Sequence, residues 1–211
     1  MTRRNRVDPF GDLHGVADRG IFMGNRGCLV DDHERVVRHH RGDLWIICAV
    51  GFRGRRVPLA APRVYTPIFF LDDAVGLAAG HRPCGECRHT DYVNYRDAVT
   101  ASLGRDEPVR AGEMNRRLRN ERLRRGHGLD RAGDRAMWTA DGDALPDATV
   151  IVIEGAAHLV VGDTTRPFGF GGWGRPVGRP RGDVSVLTPP TSVAALRHGY
   201  RPTLHPSAAA R

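Results

Sequence analysis

Cys84 and Cys87 stand three positions apart in HRPCGECRH (81–89), with Pro83 before them and Gly85 between them. Two thiolates at this spacing converge on one metal ion, because a tight turn joins them and its N–H groups can point at the sulfurs. Zinc wants four ligands in a tetrahedron, so two more are required. The chain has four cysteines in all. Cys28, Cys48, Cys84 and Cys87 are therefore the most economical expected ligand set. His39, His40, His81 and His89 are the alternatives for a mixed site. Cys48 also has a plainer reading: flanked by Ile46, Ile47, Ala49 and Val50, it has the neighbours of a small core residue. A redox pair is the other chemistry open to C-x-x-C. Reactive dithiols favour a helix N-terminus, whereas this pair follows the C-terminal stop of a short predicted helix.

Other chemistry is sparser. DPFGDLHG and FMGNRGC bring Asp12, His14, Asn25 and Arg26 close to Cys28 in sequence, and His14 is a candidate general base. With Cys48 as the reacting thiolate, His14 completes the expected catalytic pair. Ordinary turn chemistry is the competing account of that stretch. The chain has only four serines and no G-x-S-x-G, which argues against serine hydrolase chemistry. RPCGEC holds half of the zinc deaminase signature, but no upstream H-x-E supplies the rest.

The net charge is +8, and every one of the 32 basic residues is arginine. Without lysine there is neither a Schiff base nor a P-loop. Arginine suits phosphate, because its planar fork binds two oxygens and stays charged. DNA or another nucleic acid is the expected partner. Arg53, Arg55, Arg56, Arg82, Arg88, Arg116, Arg117 and Arg124 are the expected contacts. No apolar run reaches the roughly 18 residues of a membrane span, and no apolar stretch follows the basic start. A cytoplasmic protein with no membrane partner is expected.

Several elements must position these residues. LWIICAVGF (44–52) and VYTPIFFL (64–71) read as strands. DDAVGLAAG follows, with Asp72 or Asp73 as N-cap and Gly80 as C-terminal stop. Residues 89–103 and 111–125 read as helices, the second rich in arginine with a narrow stripe at Met114 and Leu118. ATVIVIEGAAHLVVGD predicts a hairpin around Glu154 and Gly155. The loop RPFGFGGWGRPVGRPR interleaves aromatics with arginine, a combination that suits single strands. Aligning Gly80 with Gly199 sets VGLAAGHRPC against AALRHGYRPT. Each copy follows an apolar strand and a short helix, and only the first carries cysteines.

IFFLDDAVGLAAGHRPCGECR resembles the second half of the Ada-type zinc-binding domain of DNA-repair proteins. The shared residues are Phe69, Phe70, Ala74, Ala79, Gly80, Arg82, Pro83, Cys84 and Cys87. The resemblance implies zinc for Cys84 and Cys87, and a link to DNA repair or its regulation. In that family four cysteines bind zinc and one thiolate accepts a methyl group from DNA. The family's first pair, C-x-x-x-C, is absent here, and Cys48 stands alone upstream.

The expected architecture is α+β, with small antiparallel sheets, short helices and two related halves. Residues 1–146 form the zinc half with its arginine-rich helix. Residues 147–211 form a hairpin and a strand–helix unit that echoes residues 64–88 without cysteines. The expected function is that of a zinc-binding, nucleic-acid-binding protein related to DNA repair or its regulation, with a zinc-dependent enzyme, using a thiolate or metal-bound water on a small or nucleotide substrate, as the alternative.

Overall fold

The computed structural model of the chain describes residues 2–54 and 58–209. Arg55 and Arg56, two of the expected phosphate contacts, lie outside the described residues. The apolar runs 44–52 and 64–71 shorten to β4 (Ile46–Ala49) and β5 (Ile68–Phe70). The polar segment 1–43 supplies β1 (Arg6–Val7), β2 (Leu13–His14) and β3 (Phe22–Asn25). With β6 (Arg82–Pro83) these make a six-stranded sheet in the order β2-β1-β5-β3-β4-β6. Pairs β1–β5 and β4–β6 are parallel and the others antiparallel. Pro83 lacks an N–H and so belongs on an edge strand, which is where β6 lies. Gly24 is required inside this sheet, since a Cβ there would stand 2.2 Å from the Ile46 carbonyl oxygen.

Helix α1 (Asp73–Ala78) follows β5, and α2 (His89–Ser102) and α3 (Ala111–Arg122) come close to their expected limits. The second sheet is antiparallel throughout. It runs β11 (Gly172–Trp173), β10 (Thr164–Gly169), β9 (Ala156–Val161), β8 (Val150–Ile153), β13 (Asp183–Val186), β7 (Trp138–Asp141), and β12 (Val177–Gly178) pairs with β10. The β8–β9 hairpin turns at Glu154 and Gly155, both with positive φ (51° and 80°), as a two-residue turn that follows strand twist requires. Helix α4 (Pro190–Arg197) closes the fold against α2. The α+β class with small, mostly antiparallel sheets is thus observed.

Residue 146 does not separate the two sheets, since β7, which precedes it, belongs to the second, and the main core spans it as well. One apolar cluster holds Val7, Phe70 and Tyr95 together with Val150, Leu187 and Tyr200. Tyr95 Oη and Ser192 Oγ lie 2.9 Å apart across that line. The two echoing segments end alike. Gly80 and Gly199 have φ of 88° and 98°, and the following N–H, of His81 or Tyr200, bonds back to Gly76 or Ala195. Both are helix C-terminal caps with a glycine in the left-handed region.

All six residues of α1 are buried, so its unpaired end groups need protein partners. Asp72 caps the first turn through the Val75 N–H at 3.1 Å, as expected. Its carboxylate also accepts from Trp173 Nε1 (2.6 Å) and the His205 N–H (3.0 Å). Asp73 accepts from both Nη atoms of Arg88 and from the Thr203 N–H. At the other end, Arg135 donates to the Ala78 carbonyl and Arg122 to the Gly80 carbonyl. Buried arginines at a helix C-terminus also match its negative pole.

Trp45 sits inside this arginine cluster. The Arg122 guanidinium lies 3.7 Å from its ring centroid and that of Arg26 4.9 Å, with His81 at 4.9 Å and His40 at 5.1 Å. The imidazoles are held neutral. Burial, with Arg26 next, lowers His39 to about 2 and His40 to about 4, and it holds His81 well below its ordinary value. The sign follows directly. Unfolded histidines take up protons below about pH 6.5 and the folded ones do not, so stability is full above that pH and falls as pH drops toward 4. Denaturant unfolding at pH 7.5 and pH 5 should show the loss. Both ring nitrogens of His81 lack a partner among the described residues, so His81→Phe should stabilise the fold by about 1 kcal/mol and flatten its acid limb.

Candidate metal centre

The parallel pairing of β4 with β6 sets Ile46 beside Arg82 and Ile47 beside Pro83. One residue further along, Cys48 meets Cys84, whose N–H bonds to the Ile47 carbonyl at 2.9 Å. The chain then turns, with the Arg88 N–H returning to the Cys84 carbonyl at 3.2 Å, and this brings Cys87 to the same spot. The sulfurs of Cys48, Cys84 and Cys87 all lie within 4.8 Å of one another. Ligands 2.3 Å from a tetrahedral zinc stand about 3.8 Å apart, so three sulfurs this close can hold a metal ion with little movement.

Backbone groups support two of the three. The Glu86 N–H points at Cys84 Sγ and the Ala49 N–H at Cys87 Sγ, each at 3.4 Å. Such contacts orient metal-bound thiolates and spread their charge. With no metal charge acting, the three thiols differ sharply. A hydrogen bond from Cys48, helped by the Glu86 and Cys87 backbone, pushes Cys84 down to about 5. Donation to Cys84 and burial push Cys48 up, and burial pushes Cys87 up. Cys84 is thus the first to ionise, and a cation would draw the other two protons off. The C-x-x-C turn is separated from the end of α1 by β6 and leads straight into α2, with Arg88 as its N-cap residue. The expected placement at a helix C-terminus was therefore only half the picture, since a helix N-terminus also favours the thiolates. Gly85 is not in the left-handed region, and a Cβ there would meet only the Tyr92 ring at 3.5 Å. The turn's tightness comes from its hydrogen bonds.

The fourth expected ligand is elsewhere. Cys28 is buried with Val30 and Ala60, and its thiol donates to the Val30 carbonyl at 3.6 Å. It packs as a small apolar residue and does not join the cluster. The histidines are likewise committed. His81 stacks between Trp45 and Phe70, His39 bonds to the Gly11 carbonyl, and His89 bonds to the Gly85 carbonyl. His14 lies on β2, four strands from β4, a separation of about 19 Å along the sheet. It pairs instead with Asp8, at 2.8 Å, so it cannot serve as a base for Cys48.

The three cysteines open onto a cavity of about 660 Å³. Met23, Ile46, Phe52 and Phe69 form apolar walls, and Asn25, Tyr65 and Glu86 bring polar atoms. Alternation along β3, β4 and β5 turns Met23 and Asn25, Ile46 and Cys48, and Pro67 and Phe69 to this side. That alternation was the available signal for the lining.

The expected phosphate contacts divide by burial. Arg82 and Arg88 are 4% and 6% exposed. Arg82 bonds to Asn115 and the Pro83 carbonyl, and Arg88 to Asp73 and Asp91. Both brace the cysteine turn from inside and offer no head to a partner. Arg117 is tied to Glu113 one turn back. Arg53, Arg116 and Arg124 are exposed.

Cys48→Ser and Cys84→Ser should each remove bound metal, read as metal content after purification, while Cys28→Ser should retain the full complement. Compared with family models, with curated proteins and with solved structures, the chain matches none.

Proposed function

We propose that Cys48, Cys84 and Cys87 hold a zinc ion whose fourth position faces the cavity, and that the protein is a zinc-dependent enzyme acting on a small or nucleotide substrate there. The carrying observation is that all three gathered sulfurs belong to the wall of one mostly apolar cavity. Three protein ligands with one open position is the pattern of reactive rather than purely structural zinc. Bound there, zinc would supply Lewis acidity and keep the thiolates ionised at neutral pH.

The chain's own groups then divide the work. Cys84 and Cys87 each accept a backbone N–H, which draws charge off their sulfurs. Cys48 receives none among the described residues, so its thiolate keeps the most charge and is the assigned nucleophile. The apolar walls strip water from that sulfur and from a bound electrophile. His14 has no part in this scheme.

The zinc-loaded protein should react with methyl iodide first at Cys48, mapped by mass spectrometry on a time course. Equal labelling of all four cysteines, or labelling that begins at Cys28, would overturn the assignment.

A second reading keeps the nucleic-acid partner and the link to DNA repair. It is favoured by the net charge of +8 and by Arg53, exposed beside Phe52 on the cavity wall. On this reading, fluorescence anisotropy should show oligonucleotide binding that weakens steeply between about 50 and 200 mM salt, and Arg53→Gln should lower the salt slope. No binding at low salt removes the reading.

A further inference from the structure

Four residues in register cross the first sheet on one face: Arg6 on β1, Phe69 on β5, Met23 on β3 and Cys48 on β4. At about 4.8 Å per strand, Arg6 stands about 14 Å from Cys48. The cavity at the cysteines is bounded by Val50, Leu59 and Phe69. A second cavity of about 590 Å³ begins against the same three residues. Arg3, Arg6 and Arg19 line it, and no acid does so among the described residues.

These arginines differ in freedom. Arg3 is paired with Glu34 at 3.3 Å. Arg6 is fixed in place: its Nε donates to the Asp18 carbonyl and its Nη1 to Asn5 Oδ1, both at 2.6 Å, and its guanidinium lies 4.6 Å over the Phe69 ring. Its Nη2 has no hydrogen-bond partner among the described residues. Arg19 is exposed and near enough to repel Arg6, which burial already holds below its ordinary value. The Asp18 carboxylate offsets part of this at Arg6, but it faces Gly171 and stays outside the lining. Two guanidiniums facing one cleft without an acid between them form a receptor for an oxyanion.

We propose that the two cavities are one site for an anionic amphiphile. Its terminal phosphate or carboxylate sits at Arg6 and Arg19. Its apolar body crosses Phe69 between Val50 and Leu59, and its far end reaches the Cys48 sulfur. The far end rests on the zinc reading above, whereas the anion end stands on the arginines alone. The apolar body gives affinity through buried area, and the guanidiniums set its direction and so choose which end meets the sulfur.

Calorimetry on the zinc-loaded full chain, with decyl phosphate, decanoate and decanol, tests the anion end. Both anions should bind roughly ten-fold or more tighter than decanol. The ratio of the two anions tells phosphate from carboxylate as the preferred head. Arg6→Gln and Arg19→Gln should each weaken the anions several-fold and leave decanol unchanged, while Phe69→Ala should weaken all three. Decanol binding as tightly as the anions, or arginine variants without effect, overturns the proposal. The span is tested with cobalt(II)-loaded protein and 10-mercaptodecyl phosphate, whose thiol should change the visible spectrum of the metal. Arginine-dependent binding with an unchanged spectrum overturns the single-site span. A chain that takes up no cobalt defeats the metal reading instead, and the arginine variants still decide the anion end.

Discussion

A six-residue helix with no exposed residue sets the terms for most of this molecule. A helix of that length has more unpaired backbone groups than paired ones, and those of α1 are buried away from solvent. The protein answers at both ends with charge. Asp72 and Asp73 tie the N-terminus to Trp173, Thr203, His205 and Arg88, and Arg122 and Arg135 close the C-terminus. Distant segments are thereby drawn to one short element. The same helix delivers the chain to β6 and to the C-x-x-C turn, so its fixing is also what fixes the cysteines. Gly76 shows how close the packing is, because a Cβ there would stand 2.5 Å from Ile47 Cδ1 on β4, the strand that carries Cys48.

Arginine thus has two separate occupations. Arg26, Arg82, Arg88, Arg122 and Arg135 are interior struts, bonded to carbonyls and carboxylates or laid on Trp45. Burial lowers the proton affinity of Arg26, Arg82, Arg122 and Arg135, with Arg26 and Arg122 falling to about 9, whereas at Arg88 the pairing with Asp73 outweighs burial and raises it. They remain cations at neutral pH, and Arg26 and Arg122 add to burial in keeping the histidines around Trp45 neutral. The exposed arginines are the ones that face solvent and any ligand. Composition counts both groups alike, so net charge alone overstated the basic surface.

The parts of the structure legible in the sequence are those set by local chemistry. The cap at Asp72, the stop at Gly80, the turn at Glu154 and Gly155, and the two longer helices depend on near neighbours. Cys48, Cys84 and Cys87 could be proposed as partners because thiol and spacing are both local signals. Long-range pairing could not be read. The two-residue strands β1 and β2 carry too little alternation to announce a sheet, so nothing placed His14 four strands away from Cys48. Cys28 has the same side chain as the gathered three, and only packing separates it from them. Arg82 and Arg88 looked like surface cations because their buried partners, Asn115 and Asp73, lie 33 and 15 residues off.

The pairing of β4 with β6 has a last consequence. Cys48 and Cys84 enclose 35 residues of chain between them. An ion shared by the two is a cross-link, and closing a loop of this size takes about 4 kcal/mol of disorder from the unfolded chain. The enclosed stretch contains Phe52, Leu59 and Tyr65, so the cavity at the cysteines is lined in part by the loop that such a clasp would shut. A metal held there would tie thermal resistance and the shape of the cavity to one equilibrium.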